Sequence, residues 1–171
     1  MNKKWQINEV NEDIIDKIAN EFNISKLVAS IIASKGLKFQ DEIEIFLHPR
    51  RTDFHDPFLL PDMEKAVERV IEAINNNEKV AIYGDYDVDG ITSSTVLHRF
   101  LKDRGLDTDI YIPNRLSEGY GLNSNEIKKI AETGHTLIIT VDCGITGKEE
   151  VALAKTLGID TIVTDHHEPP Q

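Results

Sequence analysis

Tyr83-Gly84-Asp85-Tyr86-Asp87-Val88-Asp89-Gly90, directly after the apolar run Val80-Ala81-Ile82, decides the reading of this chain. An apolar run that stops at alternating acids predicts a buried strand ending in a cluster of carboxylates. Two further stretches repeat the pattern. Leu137-Ile138-Ile139-Thr140-Val141 runs into Asp142-Cys143-Gly144, and Thr161-Ile162-Val163-Thr164 runs into Asp165-His166-His167. In an open parallel sheet the carboxyl ends of the strands line one edge, where ligands bind. Side chains distant in sequence would then meet in one place. Carboxylate oxygens with a few imidazole nitrogens suit Mn²⁺ or Mg²⁺, and two such ions can drive phosphoester hydrolysis.

Outward from these stretches, strands alternate with helices. Met63, Ala66, Val67, Val70, Ile71 and Ile74 recur at helical spacing before strand 79–83. A helix is predicted to begin at Thr92 or Ser93 and to carry Val96, Leu97, Phe100 and Leu101, with Gly105 closing it. Strand 109–112, helix 124–133, strand 136–141, helix 148–157 and strand 161–164 complete the series. Strands separated by helices across short loops predict an α/β fold, a parallel sheet flanked by helices, over residues 62–171. Residues 1–61 read as a small helical segment and connector. Asn11-Glu12-Asp13 starts one short helix. Ser25 caps a second with Val28, Ile31 and Ile32 on one face, and Pro49 stops a third.

The acidic stretch also matches the start of a calcium-binding helix–loop–helix, D-x-D-x-D-G. That loop requires Glu at its twelfth position, which counted from Asp85 is Val96. A plain acidic turn is the remaining alternative, disfavoured by the strand and helix patterns on either side. Gly90 is expected to permit a sharp turn into the next helix, with positive φ if needed. Asp142, alone, would be an ordinary turn cap; at the same sheet edge as Asp85, Asp87 and Asp89, its carboxylate can bridge two ions. Cys143 beside it reads as a small packing residue. In Asp165-His166-His167, one imidazole can ligate a metal while the other contacts phosphate or moves a proton, and Asp165 can orient an imidazole through its second nitrogen. Asn114-Arg115-Leu116-Ser117-Glu118-Gly119-Tyr120-Gly121 follows another strand end. Gly119 and Gly121 allow backbone to approach a phosphate, and Arg115 can grip one bidentately. His48, His55, His98 and His135 lack acidic partners at useful spacing and read as surface or packing residues.

Composition sets outer bounds. The chain has 171 residues, 40% hydrophobic, enough for a real core. No apolar run is long enough to span a bilayer, and no signal-peptide pattern is visible, so no membrane partner is expected. One cysteine permits no internal disulfide and fits a reducing compartment, with cytoplasm the expectation. The formal charge of −11 argues against a basic nucleic-acid stripe. Divalent ions would reverse the sign locally, however. The chain stops at Pro169-Pro170-Gln171, just after its most chemical stretch. It is expected to be the front part of a longer protein, with the domain incomplete at its C-terminal end and a basic surface elsewhere.

Together these residues resemble the DHH phosphoesterase superfamily, named for a motif matched here by Asp165-His166-His167. Within it, the wider pattern is similar to the N-terminal portion of bacterial single-strand-specific DNA exonucleases. That pattern comprises Phe46-Leu47-His48-Pro49, then Asp56-Pro57-Phe58-Leu59-Leu60-Pro61-Asp62-Met63 with Ala66 and Arg69, the stretch 83–90, Ile112-Pro113-Asn114-Arg115 and Gly119-Tyr120-Gly121-Leu122. The resemblance implies a two-ion Mn²⁺ or Mg²⁺ site and 5′→3′ release of mononucleotides from single-stranded DNA, in repair and recombination. It implies Asp85, Asp87, Asp89, Asp142 and His166 as metal ligands, His167 near the scissile phosphate, and single-strand-binding protein and a helicase as partners. Many relatives have a metal-ligating histidine where Tyr83 stands, so Asp85 is expected to serve instead. A further Asp ligand, a second domain and an OB-fold of the family are not among these residues. Other DHH phosphoesterases, which cleave short oligonucleotides, cyclic dinucleotides or pyrophosphate, are the nearest alternative. The helical N-terminal segment and the 56–63 stretch argue against them. A non-catalytic scaffold for replication proteins is a second alternative, and the intact acids argue against it.

Overall fold

The computed structural model describes residues 9–114, 119 and 121–169. Its centre is a four-stranded parallel sheet of β1 (Lys79–Gly84), β2 (Asp107–Tyr111), β3 (Leu137–Val141) and β4 (Asp160–Thr164), in the order β2-β1-β3-β4. The sheet is covered on both faces, and for that reason its central strands read as unbroken apolar runs rather than alternating ones. Val80 and Ile82 point to one face, where Ala73 of α4 (Met63–Asn76) and Leu101 of α5 (Val88–Lys102) cover them. Ala81 and Tyr83 point to the other, under Ile127 and Ile130 of α6 (Ser124–Glu132) and Ala154 of α7 (Lys148–Thr156). Each fully buried aliphatic side chain contributes about 1.5–3 kcal/mol. Strand order reverses between β1 and β3, since β2 lies on one side of β1 and β3 on the other. A crevice opens at the carboxyl ends of strands flanking such a reversal. Asp85 and Asp142 emerge there.

The expected start of α5 was four or five residues too late. The helix begins at Val88, and Asp87 caps it, its carboxylate accepting the N–H groups of Asp89 at 2.9 Å and Gly90 at 3.1 Å. The acidic stretch is thus half turn and half first helical turn. Gly90 is needed for a different reason than expected. It is helical, and a Cβ there would lie 2.2 Å from the carbonyl oxygen of Asp85. The absent side chain lets α5 press its first turn onto the end of β1. Of the apolar residues this helix carries, Val96 and Phe100 are 70% and 47% exposed. With Ile71 they flank an open groove between α4 and α5, while Leu97 and Leu101 meet the sheet. Strand β2 also starts two residues earlier than expected and ends at Tyr111.

The chain divides into two compact units between Leu59 and Leu60. The first holds α1 (Glu12–Phe22), α2 (Lys26–Ser34) and α3 (Gln40–Leu47), around a core of Ile15, Ile18, Ala19, Ala29, Ile32 and Ile43. Asn11 and Ser25 cap α1 and α2 through their side-chain oxygens. Of Val28, Ile31 and Ile32, expected on one face of α2, only Ile32 is buried, beside Ala29, while Val28 and Ile31 are exposed.

At the amino-terminal edge of the sheet, acids are matched by cations. Arg69 of α4 donates from Nη2 to Glu78 and from Nε to Asp160, both at 2.7 Å, clamping the helix to the starts of β1 and β4. Lys79 pairs with Asp109 at 2.9 Å, and buried His135 lies 3.2 Å from the same carboxylate. No helix among the described residues is long and apolar enough to cross a membrane.

Candidate metal centre

Each strand end delivers its side chain by a local device. Asp85 follows β1 and is 4% exposed, beneath the first turn of α5. Asp142 follows β3 in the left-handed region, φ 61°, with its N–H bonded to the Thr164 carbonyl at 3.0 Å. Asp tolerates that conformation better than most residues. Gly144, φ 107°, continues the turn where a Cβ would meet Thr140 Oγ1 at 2.8 Å. Asp165, His166 and His167 follow β4.

Two groups of donors result. Asp85, Asp87 and Asp142 present carboxylate oxygens within 4.8 Å of one another, and so do Asp142, His166 and His167 with one oxygen and two ring nitrogens. Asp142 belongs to both. Its Oδ1 lies 3.0 Å from His166 Nε2. Burial raises the Asp142 pKa, and the Asp87 carboxylate beside it raises it further through charge and a shared hydrogen bond. Asp87 moves the other way, lowered first by the Gly90 N–H and also by that of Asp89 and by the bond to Asp142. Burial and the Asp87 charge thus both make ionisation of Asp142 harder than for a free carboxyl. Asp85 Oδ1 is buried with no hydrogen-bond partner among the described residues. A bare buried carboxylate oxygen next to a carboxyl pushed towards neutrality is an arrangement a hard divalent cation satisfies. The oxygen-rich set with two imidazoles fits Mn²⁺ or Mg²⁺.

His167 is held from behind. The Asp165 side chain, 1% exposed, accepts from the Ile145 N–H at 3.0 Å, the His167 N–H at 3.1 Å and His167 Nδ1 at 2.7 Å. A carboxylate only accepts, so Nδ1 carries the proton, and in the neutral imidazole Nε2 is the nitrogen left with a lone pair. Burial pushes Asp165 up, but the two N–H groups and the imidazole outweigh it and hold the carboxyl below its usual range. The bond to Asp165 raises the His167 pKa in turn. The two imidazoles stack, centroids 4.5 Å apart.

Asp89 lines the same small cleft as Asp142, Asp165 and His166 but lies outside both groups of close donors. Asn114 is exposed just beyond β2, Gly119 and Gly121 adopt left-handed φ of 81° and 85°, and Arg115 falls outside the described residues. Tyr83 is fully buried among the residues under α6 and α7, and its hydroxyl donates to the Gly121 carbonyl at 3.3 Å. Cys143 is fully buried and its thiol is pushed up to about 12, first by burial, so it is a packing residue. His98 bonds Thr108 at 2.7 Å, and His135 is buried beside Thr133. The anchor of Asp165, the Ile145 N–H, escaped the sequence reading, because a backbone donor leaves no residue-type signal.

A parallel sheet with this donor set at its carboxyl edge defines the class. The DHH family, N-terminal domain, matches residues 79–171, and the chain belongs to that family. Over 166 residues it is 42% identical to the single-stranded-DNA-specific exonuclease RecJ of Bacillus subtilis, covering 97% of this chain and 21% of that protein. RecJ of Thermus thermophilus is 38% identical over 123 residues, 70% of this chain and 18% of that protein. Among solved structures, exonuclease RecJ bound to manganese is 38% identical with TM-score 0.61, covering 66% of this chain and 30% of that one. RecJ from Thermus thermophilus in complex with Mn²⁺ is 25% identical with TM-score 0.65, covering 93% and 22%. The chain therefore spans about a fifth of the length of the curated relatives it matches.

Proposed function

We propose that this chain carries half of the catalytic site of a metal-dependent 5′→3′ exonuclease acting on single-stranded DNA. The observation that carries the reading is Asp142, shared by an all-carboxylate group and a carboxylate–imidazole group. Asp85, Asp87, Asp142 and His166 would hold two Mn²⁺ or Mg²⁺ ions, with Asp89 on the rim. Bound there, such ions polarise phosphoryl oxygens and supply a water acidic enough to attack at neutral pH. The chain's own residues do the rest. Asp142 fixes the spacing of the two donor groups, and the Asp85 oxygen, already desolvated, needs no reorganisation to bind. Asp165 keeps His167 in one tautomer, so that Nε2 can donate to a phosphate oxygen when the imidazole is protonated. Asn114, Arg115, Gly119 and Gly121 seat a backbone phosphate.

Several finer points rest on the relatives and on charge. Release of mononucleotides from the 5′ end, a role in repair and recombination, a cytoplasmic location, and single-strand-binding protein and a helicase as partners follow the resemblance. Residues 1–61 form the helical segment and connector, and residues 62–171 form the DHH domain. By themselves residues 1–171 fold but turn over DNA poorly, since the formal charge of −11 repels a single strand.

The test is to incubate the full-length protein with Mn²⁺ and labelled single strands, alongside Asp142→Ala. The expected result is mononucleotide release from the 5′ end by the parent and none by the variant. Cleavage of cyclic dinucleotides or pyrophosphate, with single strands untouched, would assign the site to another DHH phosphoesterase. DNA binding without any hydrolysis would make it a scaffold.

A further inference from the structure

The strands that deliver Asp142 and His166 are clasped at their ends by two threonines. Strand β4 lies at one margin of the sheet and is paired only with β3 among the described residues. Its last paired residue is Thr164, opposite Val141, and the residues that follow the pair are Asp165 and Asp142. Thr140 is fully buried and shares a face with Ile138, under α6 and α7. Its Oγ1 accepts the Thr164 N–H at 3.3 Å. Thr164 shares the opposite face with Val141, towards α4 and α5. Its Oγ1 donates to the Thr140 carbonyl at 2.6 Å. The backbone adds the bond from the Asp142 N–H to the Thr164 carbonyl, at 3.0 Å. A marginal strand can swing about its last backbone bonds, and side-chain bonds on both faces oppose that swing.

Each threonine also bears on one side of the donor group. Thr164 lines the small cleft with Asp89, Asp142, Asp165 and His166. Thr140 supports the turn after Asp142, where a Cβ on Gly144 would come within 2.8 Å of its Oγ1. The His166 side chain is 72% exposed, with Nε2 3.0 Å from Asp142 Oδ1, so its placement depends on the backbone beneath it more than on packing. We propose that Thr140 and Thr164 are positioning residues of the metal centre: by locking the ends of β3 and β4 together, they hold His166 within reach of the ion that Asp142 binds. The inference rests on the proposed function, which places Mn²⁺ or Mg²⁺ between these residues.

The test is calorimetric titration of Mn²⁺ into the full-length protein and its Thr140→Val, Thr164→Val, Thr164→Ser, Arg69→Ala and Asp142→Asn variants. Val keeps the shape of Thr and removes the hydroxyl, whereas Ser keeps the hydroxyl. The expected result is binding weakened about three- to ten-fold in both Val variants, the equivalent of one net hydrogen bond, with Thr164→Ser close to the parent. A smaller loss in Thr164→Val overturns the inference. So does an equal loss in Thr164→Ser, which would assign the effect to the methyl group, or in Arg69→Ala, which would make it a consequence of lower stability alone. A loss in Thr164→Val without one in Thr140→Val also overturns it, since only a direct role of Thr164 at the ion would spare buried Thr140. If Thr140→Val does not fold, hydrogen exchange of the metal-free protein takes its place. Residues 160–167 must then exchange faster in Thr164→Val than in the parent, and unchanged exchange overturns the clasp. Undiminished Mn²⁺ binding by Asp142→Asn would instead refute the function on which the inference stands.

Discussion

At the amino-terminal edge of the sheet Glu78, Asp109 and Asp160 face Arg69, Lys79 and His135, whereas at the carboxyl-terminal edge Asp85, Asp87 and Asp142 face one another. Both edges use acids at or near strand ends. The first acts as a fastener: Glu78 and Asp109 are lowered, chiefly by hydrogen bonds from Arg69 and Lys79. The second carries a net repulsion that His166 only partly offsets, seen in the raised Asp142 and in the Asp85 oxygen that has no partner among the described residues. An acid supplied with its own counter-ion contributes to the fold; acids gathered without one cost stability until a cation arrives. Under the proposed function, the contrast separates structural from functional carboxylates within a single sheet.

The largest expected break of that contrast comes from Asp142→Ala in the full-length protein. Its kcat on single-stranded DNA should fall on the order of 10³-fold or more, since both donor groups lose their shared member. Arg69→Ala should leave kcat per folded molecule near the parent value. Equal losses in the two variants would erase the distinction between the edges.

Asp165→Asn sharpens the account at the site itself. It removes the negative charge behind His167 and leaves one oxygen where two accepted three N–H groups, and kcat should fall about 10- to 100-fold, as when the support behind a functional imidazole is weakened. The bond to Asp165 raises the His167 pKa, so the basic limb of the pH–rate profile should move to lower pH in the variant. A limb that stays in place would take His167 out of the rate-limiting protonation.

The acidic runs and the strand–helix alternation made the sheet, its helices and the converging strand ends legible from sequence. Apolar runs such as 137–141 have few alternatives once glycines and acids bound them. What stayed hidden depends on three-dimensional approach. The early start of α5 follows from Asp87 acting as a cap, which competes with reading it only as a ligand. The need for Gly90 lies in a 2.2 Å clash with the Asp85 carbonyl just past the end of β1 rather than in its own φ. Val96 and Phe100 satisfy a helical period yet are exposed, because periodicity marks an apolar stripe without saying how wide its cover is. The setting of Asp89 outside both close groups was equally invisible, since alternate spacing in sequence suggests equal participation.

Smaller effects test the fastening edge. Arg69→Ala leaves Glu78, whose side chain is 15% exposed, without its cation, and should lower unfolding free energy by about 1–3 kcal/mol in urea titrations. A change below the noise would mean the clamp is dispensable. The two edges should also respond oppositely to pH. The lowered Glu78 contributes stability above its ordinary pKa of 4.5, and that is lost as the pH falls through the folded value. The raised Asp142 contributes below its ordinary 3.8, and that is lost as the pH rises through its higher folded value. Without metal, Glu78→Gln should therefore flatten the acid-side loss of stability, and Asp142→Asn should flatten the decline on the way up. Matching pH profiles for the two variants would contradict the assignment of opposite roles.

The most direct measurement is calorimetric titration of Mn²⁺ into the full-length protein, its Asp142→Asn variant and its Arg69→Ala variant. All three are compared at neutral pH under conditions where each is folded. The account predicts binding of equal strength by the parent and Arg69→Ala, and binding weakened at least about 10-fold by Asp142→Asn, which keeps the shape of the side chain but removes its charge. Undiminished Mn²⁺ binding by Asp142→Asn would contradict the claim that the carboxyl-terminal edge of the sheet is a metal centre built around that residue.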